Sequence, residues 1–374
     1  MKGSRKTQLI ESIMEVVRIV AGMAIAYGVA LLILFLISDD PAFIIKQFIL
    51  GPFSSPRRIG SMINLAVPFI ICGISMCFMY AVNKFNLIGE SIFMLAGCII
   101  SFVGIKIIGN ALPMIVTVPL LLIVGALVGV VLAFIPAIMD RKLNANVVVV
   151  SLMLNSVIAQ LAIWILRYHM RDTTIGMTAS ELIPESMQLP TIFGKLKIGS
   201  GIIIALILVV IVSIVFFKTS FGWKMRIVGA NPHFAKAVGF STLGVSFAAQ
   251  LLGGAIAGIG GATEIMNSYP RYNWMATTGH GFDGLLVAVL AKKNPILVPI
   301  GALFLAYIRI GANVVNTSGD IPYEFITVIQ GIIILLVAAE SFLSGTKNRL
   351  IFREVQKEEE EKKKALEATK EEAK

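Results

Sequence analysis

GSGIIIALILVVIVSIVFF, residues 199–217, runs its whole length without a charged side chain. Read as a helix, it rises about 28 Å, close to the ~30 Å thickness of a bilayer's hydrocarbon core. Segments of the same kind recur along the chain, near 19–37, 61–80, 92–108, 113–138, 147–166, 244–264, 281–291, 296–312 and 325–343. With 199–217 they predict an all-α, polytopic membrane bundle of about ten spans. Two are irregular. The segment 281–291 is too short to cross alone, and 113–138 is long and carries Pro119. Interrupted apolar segments in transporters often line the pathway, because irregular backbone is tolerated only away from lipid.

Composition agrees. Of 374 residues, 57% are hydrophobic and 14% charged, where a soluble domain carries about 25% charged residues to coat its surface. The net charge of +10 does not point to nucleic acid. The tail from Arg353 nearly balances its charges, so the excess lies in short loops between spans. With the N-terminus inside, inner loops hold Lys84, Arg141, Lys142, Lys218, Lys224, Arg226, Lys236, Lys292 and Lys293, and outer loops hold fewer basic residues. That asymmetry sets orientation and puts both termini in the cytoplasm. The expected organisation is a cytoplasmic segment 1–18, a transmembrane domain 19–345 and a charged cytoplasmic tail 346–374. The run Ile19–Ile37 has no small-residue cleavage site and reads as a retained span. Cys72, Cys77 and Cys98 fall inside apolar spans with neither metal-ligand spacing nor a disulfide framework.

The most informative inner loop is FKTSFGWKMRIVGANPHFAKAVGFS, 217–241. Asn231 suits an N-cap, Pro232 the first helical position and Gly239 a left-handed C′ residue. Between them Phe234, Ala235 and Val238 form a small apolar face. A helix this short is marginal in water, so it rests either on the inner membrane surface or in the groove of a cytoplasmic partner.

FGWKMRIVGANPHFAKAVGF at 221–240, GGAIAGIGGA at 253–262 and GFDGLLVAVLAKKNP at 281–295 together resemble permeases of ABC importers. NKFNLIGE at 83–90, VVVSLMLN at 148–155 and VIQGIIILLVAA at 328–339 agree. The likeness covers roughly 60–345. It is to the branched-chain amino acid and ribose permease superfamily, nearest the nucleoside permeases served by Bmp-type binding lipoproteins. It implies that 229–239, with Gly229, Asn231, Pro232, Phe234, Ala235, Val238 and Gly239, is the coupling helix that fits into a separate ATPase subunit. It also implies a second permease subunit and an external substrate-binding lipoprotein as partners, in a bacterial cell membrane. The family's FNIG-x-EGQ appears here as FNLIGESI, keeping Glu90 but not the Gly-Gln pair, and Asn146 stands where an acidic residue is common.

The chain has no Gly-x-x-x-x-Gly-Lys-[Ser/Thr] phosphate loop, so it is read as a pore subunit and not an enzyme. No cofactor or metal is expected. Polar residues inside spans mark the candidate substrate pathway. Asn155 either hydrogen bonds a substrate or links helices, and Gln160 lies about 140° around the same helix. Glu90 is either a charge at a helix start or a substrate contact. Asp283 caps the short segment or contacts ligand. Trp164 and Trp274 belong to an interfacial belt or stack on a base. Lys106 and Arg309 are expected to snorkel from span ends. The turns FNLIGE, 85–90, and GFDGLL, 281–286, each precede an apolar segment in opposite halves, as a remnant of an inverted repeat or by chance. The function expected is an ATP-driven importer of nucleosides. The alternatives are riboflavin or a sugar on the same scaffold, or an ion-coupled secondary transporter.

Overall fold

The computed structural model describes residues 41–318, with the isolated residues 28, 35 and 331. The chain divides into two units, and every element below belongs to the one spanning Ile37–Ile326. The expected spans 19–37 and 325–343, the segment 1–18 and the tail 346–374 lie outside the described residues.

Seven described helices are long and apolar enough to cross a membrane, judged by length and composition. The order begins with α1, Pro41–Leu50, a short helix outside the spans expected from the sequence. Ten residues are too few to register as a span, though Ile44 and Phe48 are buried. Next come α2, Pro56–Ala81, and α3, Gly89–Val103, which a π-helical turn extends to Ile108. α4 is Met114–Leu143, and α5, Val147–Ile165, is extended by a second π turn to Met170. After a long connection come α6, Gly201–Lys218, then two short helices, α7, Ser220–Ala230, and α8, Pro232–Ala237. The last three are α9, Thr242–Ser268, α10, His280–Leu290, and α11, Val298–Ser318.

α2 is the central post. Ser55 caps it by accepting a hydrogen bond from Arg58 N at 3.3 Å, Pro56 opens it, and residues 66–80 are buried without a break. α6, α9, α10 and α11 all pack on it. α6, by contrast, buries only a stripe of Gly201, Ala205, Val209, Val212 and Phe216. Ile203, Leu206, Ile207, Val210, Ile211 and Ile214 face outward, as suits a lipid-exposed helix.

α4 stays one continuous helix through Pro119 and Pro136, ending at Asn144 in the left-handed conformation (φ 50°). One face exposes Ile115, Ile123, Leu127 and Val131. The other meets α9 glycine to glycine: Gly129 lies against the Gly254 carbonyl and Gly125 against that of Gly258. Small residues let two backbones approach within membranes, where apolar burial alone gives helices no reason to associate. A methyl group at any of these four glycines would strike the facing main chain.

The loops sort into two ends. At one, Lys84 pairs with Asp140 at 2.7 Å and Gly229 packs on the carbonyl of Ala81. At the other, the connection 171–200 is stitched down along its length. Asn64 Nδ2 donates to Lys197 O at 2.9 Å, Leu189 N to Met266 O at 2.8 Å, and Ser186 Oγ to Gly109 O at 2.8 Å. A small hairpin, β1 Thr191–Phe193 with β2 Ile198–Gly199, lies within it. These bonds make the connection an ordered plate.

Candidate functional site

Two stretches without helix enter the bundle from opposite directions: residues 82–88 between α2 and α3, and the link 269–279 between α9 and α10. The first is held by side chains from α5 and α9. Leu87 N donates to Ser151 Oγ at 3.1 Å, and its carbonyl accepts from Asn155 Nδ2 at 2.9 Å. Asn86 Nδ2 donates to Gln250 Oε1 at 2.9 Å, while its Oδ1 accepts from Ile88 N at 3.1 Å. Buried backbone groups need partners; those of Leu87 and Ile88 find them in Ser and Asn side chains, and Gln250 holds the Asn86 side chain.

The two stretches meet at Glu90, which is fully buried. Its Oε1 accepts from Gly279 N at 2.7 Å and Thr278 Oγ1 at 3.2 Å, and its Oε2 from Gly281 N at 2.7 Å. Glu90 therefore opens α3 and caps α10, satisfying amides that a helix start leaves free. Its negative charge also complements the positive end of the α10 dipole. The two Gly-containing turns noted in the sequence are thus in direct contact.

Asp283, in the first turn of α10, pairs through Oδ1 with Arg309 Nη2 at 2.6 Å, and His280 Nδ1 lies 4.0 Å from its Oδ2. Arg309 stands over the Phe69 ring at 5.2 Å. It does not snorkel as expected: a carboxylate 26 residues earlier in the chain lies within reach and holds the guanidinium inside the bundle. Lys106 does lie at the surface, 2.6 Å from Glu181. Trp274 is not in an interfacial belt. It is buried, stacked on Phe93 with ring centroids 5.4 Å apart and in edge contact with Tyr269.

Asn155 is buried, and its Oδ1 also accepts from Ser91 Oγ at 2.6 Å. Gln160 and Trp164 lie on the opposite, exposed face of α5. The structure therefore brings Glu90, Asn155 and Asp283 around one junction and leaves Gln160 and Trp164 away from it. Sequence reasoning missed Asn86, Ser91, Gln250 and Arg309. Arg309, a full charge, and Gln250, an amide, each inside an apolar run, carried a signal that a partner must exist.

Outside the spans, the link is anchored to the plate. Arg271 Nη1 donates to Asp172 Oδ2 at 2.6 Å and Ser180 O at 2.8 Å, and Tyr272 N donates to Ser180 Oγ at 2.9 Å. Hydrogen bonds from the Thr174 hydroxyl, and then from Arg271, hold the Asp172 carboxyl down at about 2.

At the opposite end, Asn231 Oδ1 accepts from Phe234 N at 3.0 Å to cap α8, and Gly239 takes φ 86°. Phe234 and Val238 are about half exposed. Ala235 is the correction: it is fully buried, because 100° of rotation per residue turns it away from the exposed Phe234. Gly229 packs against α2 and Pro232 opens α8. Beside α8 a groove of about 320 Å³ is lined by Phe221, Lys224, Phe240, Ser241, Gly244 and Val245.

Residues 58–338 match the family described as the branched-chain amino acid transport system permease component. The glucose ABC transporter permease protein of Haloferax volcanii is 27% identical, over 90% of each chain. The guanosine ABC transporter permease protein of Bacillus subtilis is 29% identical over 77% of this chain and 83% of its own. The nucleoside ABC transporter permease protein of Lactococcus lactis subsp. cremoris is 27% identical over 85% of this chain and 90% of its own.

Proposed function

Because the chain belongs to the family of branched-chain amino acid transport system permease components, we propose that it is the pore subunit of an ATP-driven importer, with nucleosides as the solute. The observation that carries the importer reading is α8. A capped, two-turn helix exposes Phe234 and Val238 beside an open groove, a shape suited to seating in an ATPase subunit. Gly229, Asn231, Pro232 and Gly239 shape that loop, and Ala235 anchors it from inside.

In this reading the seven described spans, the half-helix α10 and the apolar segments 19–37 and 325–343 make ten, with both termini cytoplasmic. A second permease subunit packs beside this one, and an external binding lipoprotein delivers solute to the plate 171–200. Glu90, Asn155 and Asp283 hold the junction in shape. Gln160 and Trp164, on the exposed face of α5, are left as the side chains able to reach solute or the second permease. A polar Gln160 facing lipid is costly, which favours such a role.

Nucleosides are preferred because two of the three relatives above are named for a nucleoside or guanosine. A sugar is the second reading, favoured by the glucose permease relative that covers 90% of both chains. Uptake of labelled guanosine, riboflavin, glucose and a pentose by the reconstituted complex, with ATPase and lipoprotein, decides between them. Saturable, ATP-dependent guanosine uptake unaffected by excess glucose is the expected result; uptake of glucose alone overturns it.

A further inference from the structure

The link 269–279 is clamped at both ends and free in the middle. Arg271 and Tyr272 are tied to the plate, and Thr278, Gly279 and Gly281 to Glu90. Between the clamps, Met275, Ala276 and Thr277 are exposed. Among the described residues their backbone groups have no hydrogen-bond partner. Phe282, in the first turn of α10, is also exposed.

The depth of this segment follows from α10. Its 11 residues rise about 17 Å, a little over half of a ~30 Å hydrocarbon core. At its far end stand Lys292 and Lys293, both in the left-handed region and both suited to the membrane surface. Residues 275–277 therefore sit near mid-depth. Exposed, unpaired backbone cannot face lipid there, since each bare peptide group costs several kcal/mol in hydrocarbon. Water or another polar surface must lie against it.

We propose that Met275, Ala276, Thr277 and Phe282 line the solute route and contact the solute. The assignment rests on the permease reading above. It also sets the class of solute. The rim offers one hydroxyl, open amide and carbonyl groups, a thioether and an aromatic ring. None of these four residues carries a charge, and the neighbouring Glu90 and Asp283 are held by backbone amides and by Arg309. Such a surface suits an uncharged ring that carries hydrogen-bonding groups and an apolar face.

Cysteine accessibility tests it in the assembled transporter. The native Cys72, Cys77 and Cys98 are buried and serve as a silent background. Ala276→Cys is compared with Ile211→Cys, on the outward apolar face of α6, using a charged, membrane-impermeant methanethiosulfonate. Ala276→Cys should react at least tenfold faster than the control, and its modification should lower uptake at least tenfold. Reaction no faster than the control, or fast reaction that leaves uptake intact, overturns the assignment. Labelling needs no transport, so wild-type uptake tests the permease reading separately.

Discussion

Glu90 and Gly281 meet main chain to main chain, with the Glu90 carboxylate folded back to accept the Gly281 amide at 2.7 Å. The start of α3 and the start of α10 are thus one junction. The glycine is needed because a Cβ at 281 would overlap the Glu90 backbone.

Removing the carboxylate should loosen this junction. Glu90→Ala leaves the Gly279 and Gly281 amides bare, at about 1–3 kcal/mol each. Glu90→Gln keeps the size and one acceptor oxygen and should lose less. Gly281→Ala forces the two main chains apart, at a cost of about 1–3 kcal/mol. Melting temperatures of the detergent-purified protein should fall for all three, with Ala at 90 below Gln. Equal melting for both Glu90 variants would show that the amides find other partners.

Asn155 serves the same junction from α5, bonding Leu87 O and Ser91 Oγ. Asn155→Leu should therefore reduce folded yield and thermal stability together with uptake. The lost bonds are worth about 1 kcal/mol each within membranes, with a further cost for the stranded Leu87 carbonyl. A variant that assembles and melts normally but fails in uptake would instead assign Asn155 to the solute.

The clamp between Arg271 and Asp172 should resist acid. Hydrogen bonds from Thr174 and Arg271 depress the folded carboxyl to about 2, below its unfolded value of about 4. A depressed carboxyl contributes stability that is complete above the unfolded value and is lost as pH falls toward the folded one. Proteolysis of the 171–200 plate should thus be unchanged from pH 8 to 5. Asp172→Asn should raise it at every pH in that range. Cleavage of the wild type that rises between pH 7 and 5 would contradict the assignment.

Local signals made the spans legible. The runs 61–80, 147–166 and 244–264 became α2, α5 and α9 because long apolar stretches with at most one charge, Glu264, admit few other structures. The caps at Asn231 and Gly239 were readable for the same reason, each being a property of two or three neighbouring residues. Pairings across the chain were not. Nothing near Arg309 names Asp283, and nothing near Arg271 names Asp172, 99 residues away. Asn155 illustrates the middle case: its polarity within a span announced a partner, but which partner depended on where 82–88 ran.

The exposed side of α8 gives the sharpest test of the importer reading, and burial decides which residue to change. Phe234 and Val238 are four residues apart, about 40° around the helix, and both face outward. Ala235 lies between them in sequence but is fully buried. Phe234→Glu removes the large apolar contact and sets a charge at the surface that would meet an ATPase. Glu is a good helix former, and Asn231 still caps the helix through the backbone amide of residue 234, so the loop itself should survive. Protein level and melting should stay normal while copurification of the ATPase falls at least tenfold. Ala235→Glu drives an unpaired carboxylate into the protein's own packing, at about 1–3 kcal/mol or more, and should lower melting before any partner is involved. The two variants thus separate docking from folding. If Phe234→Glu leaves ATPase recovery and solute-stimulated hydrolysis at wild-type levels, α8 rests on the membrane surface and the ATPase binds elsewhere.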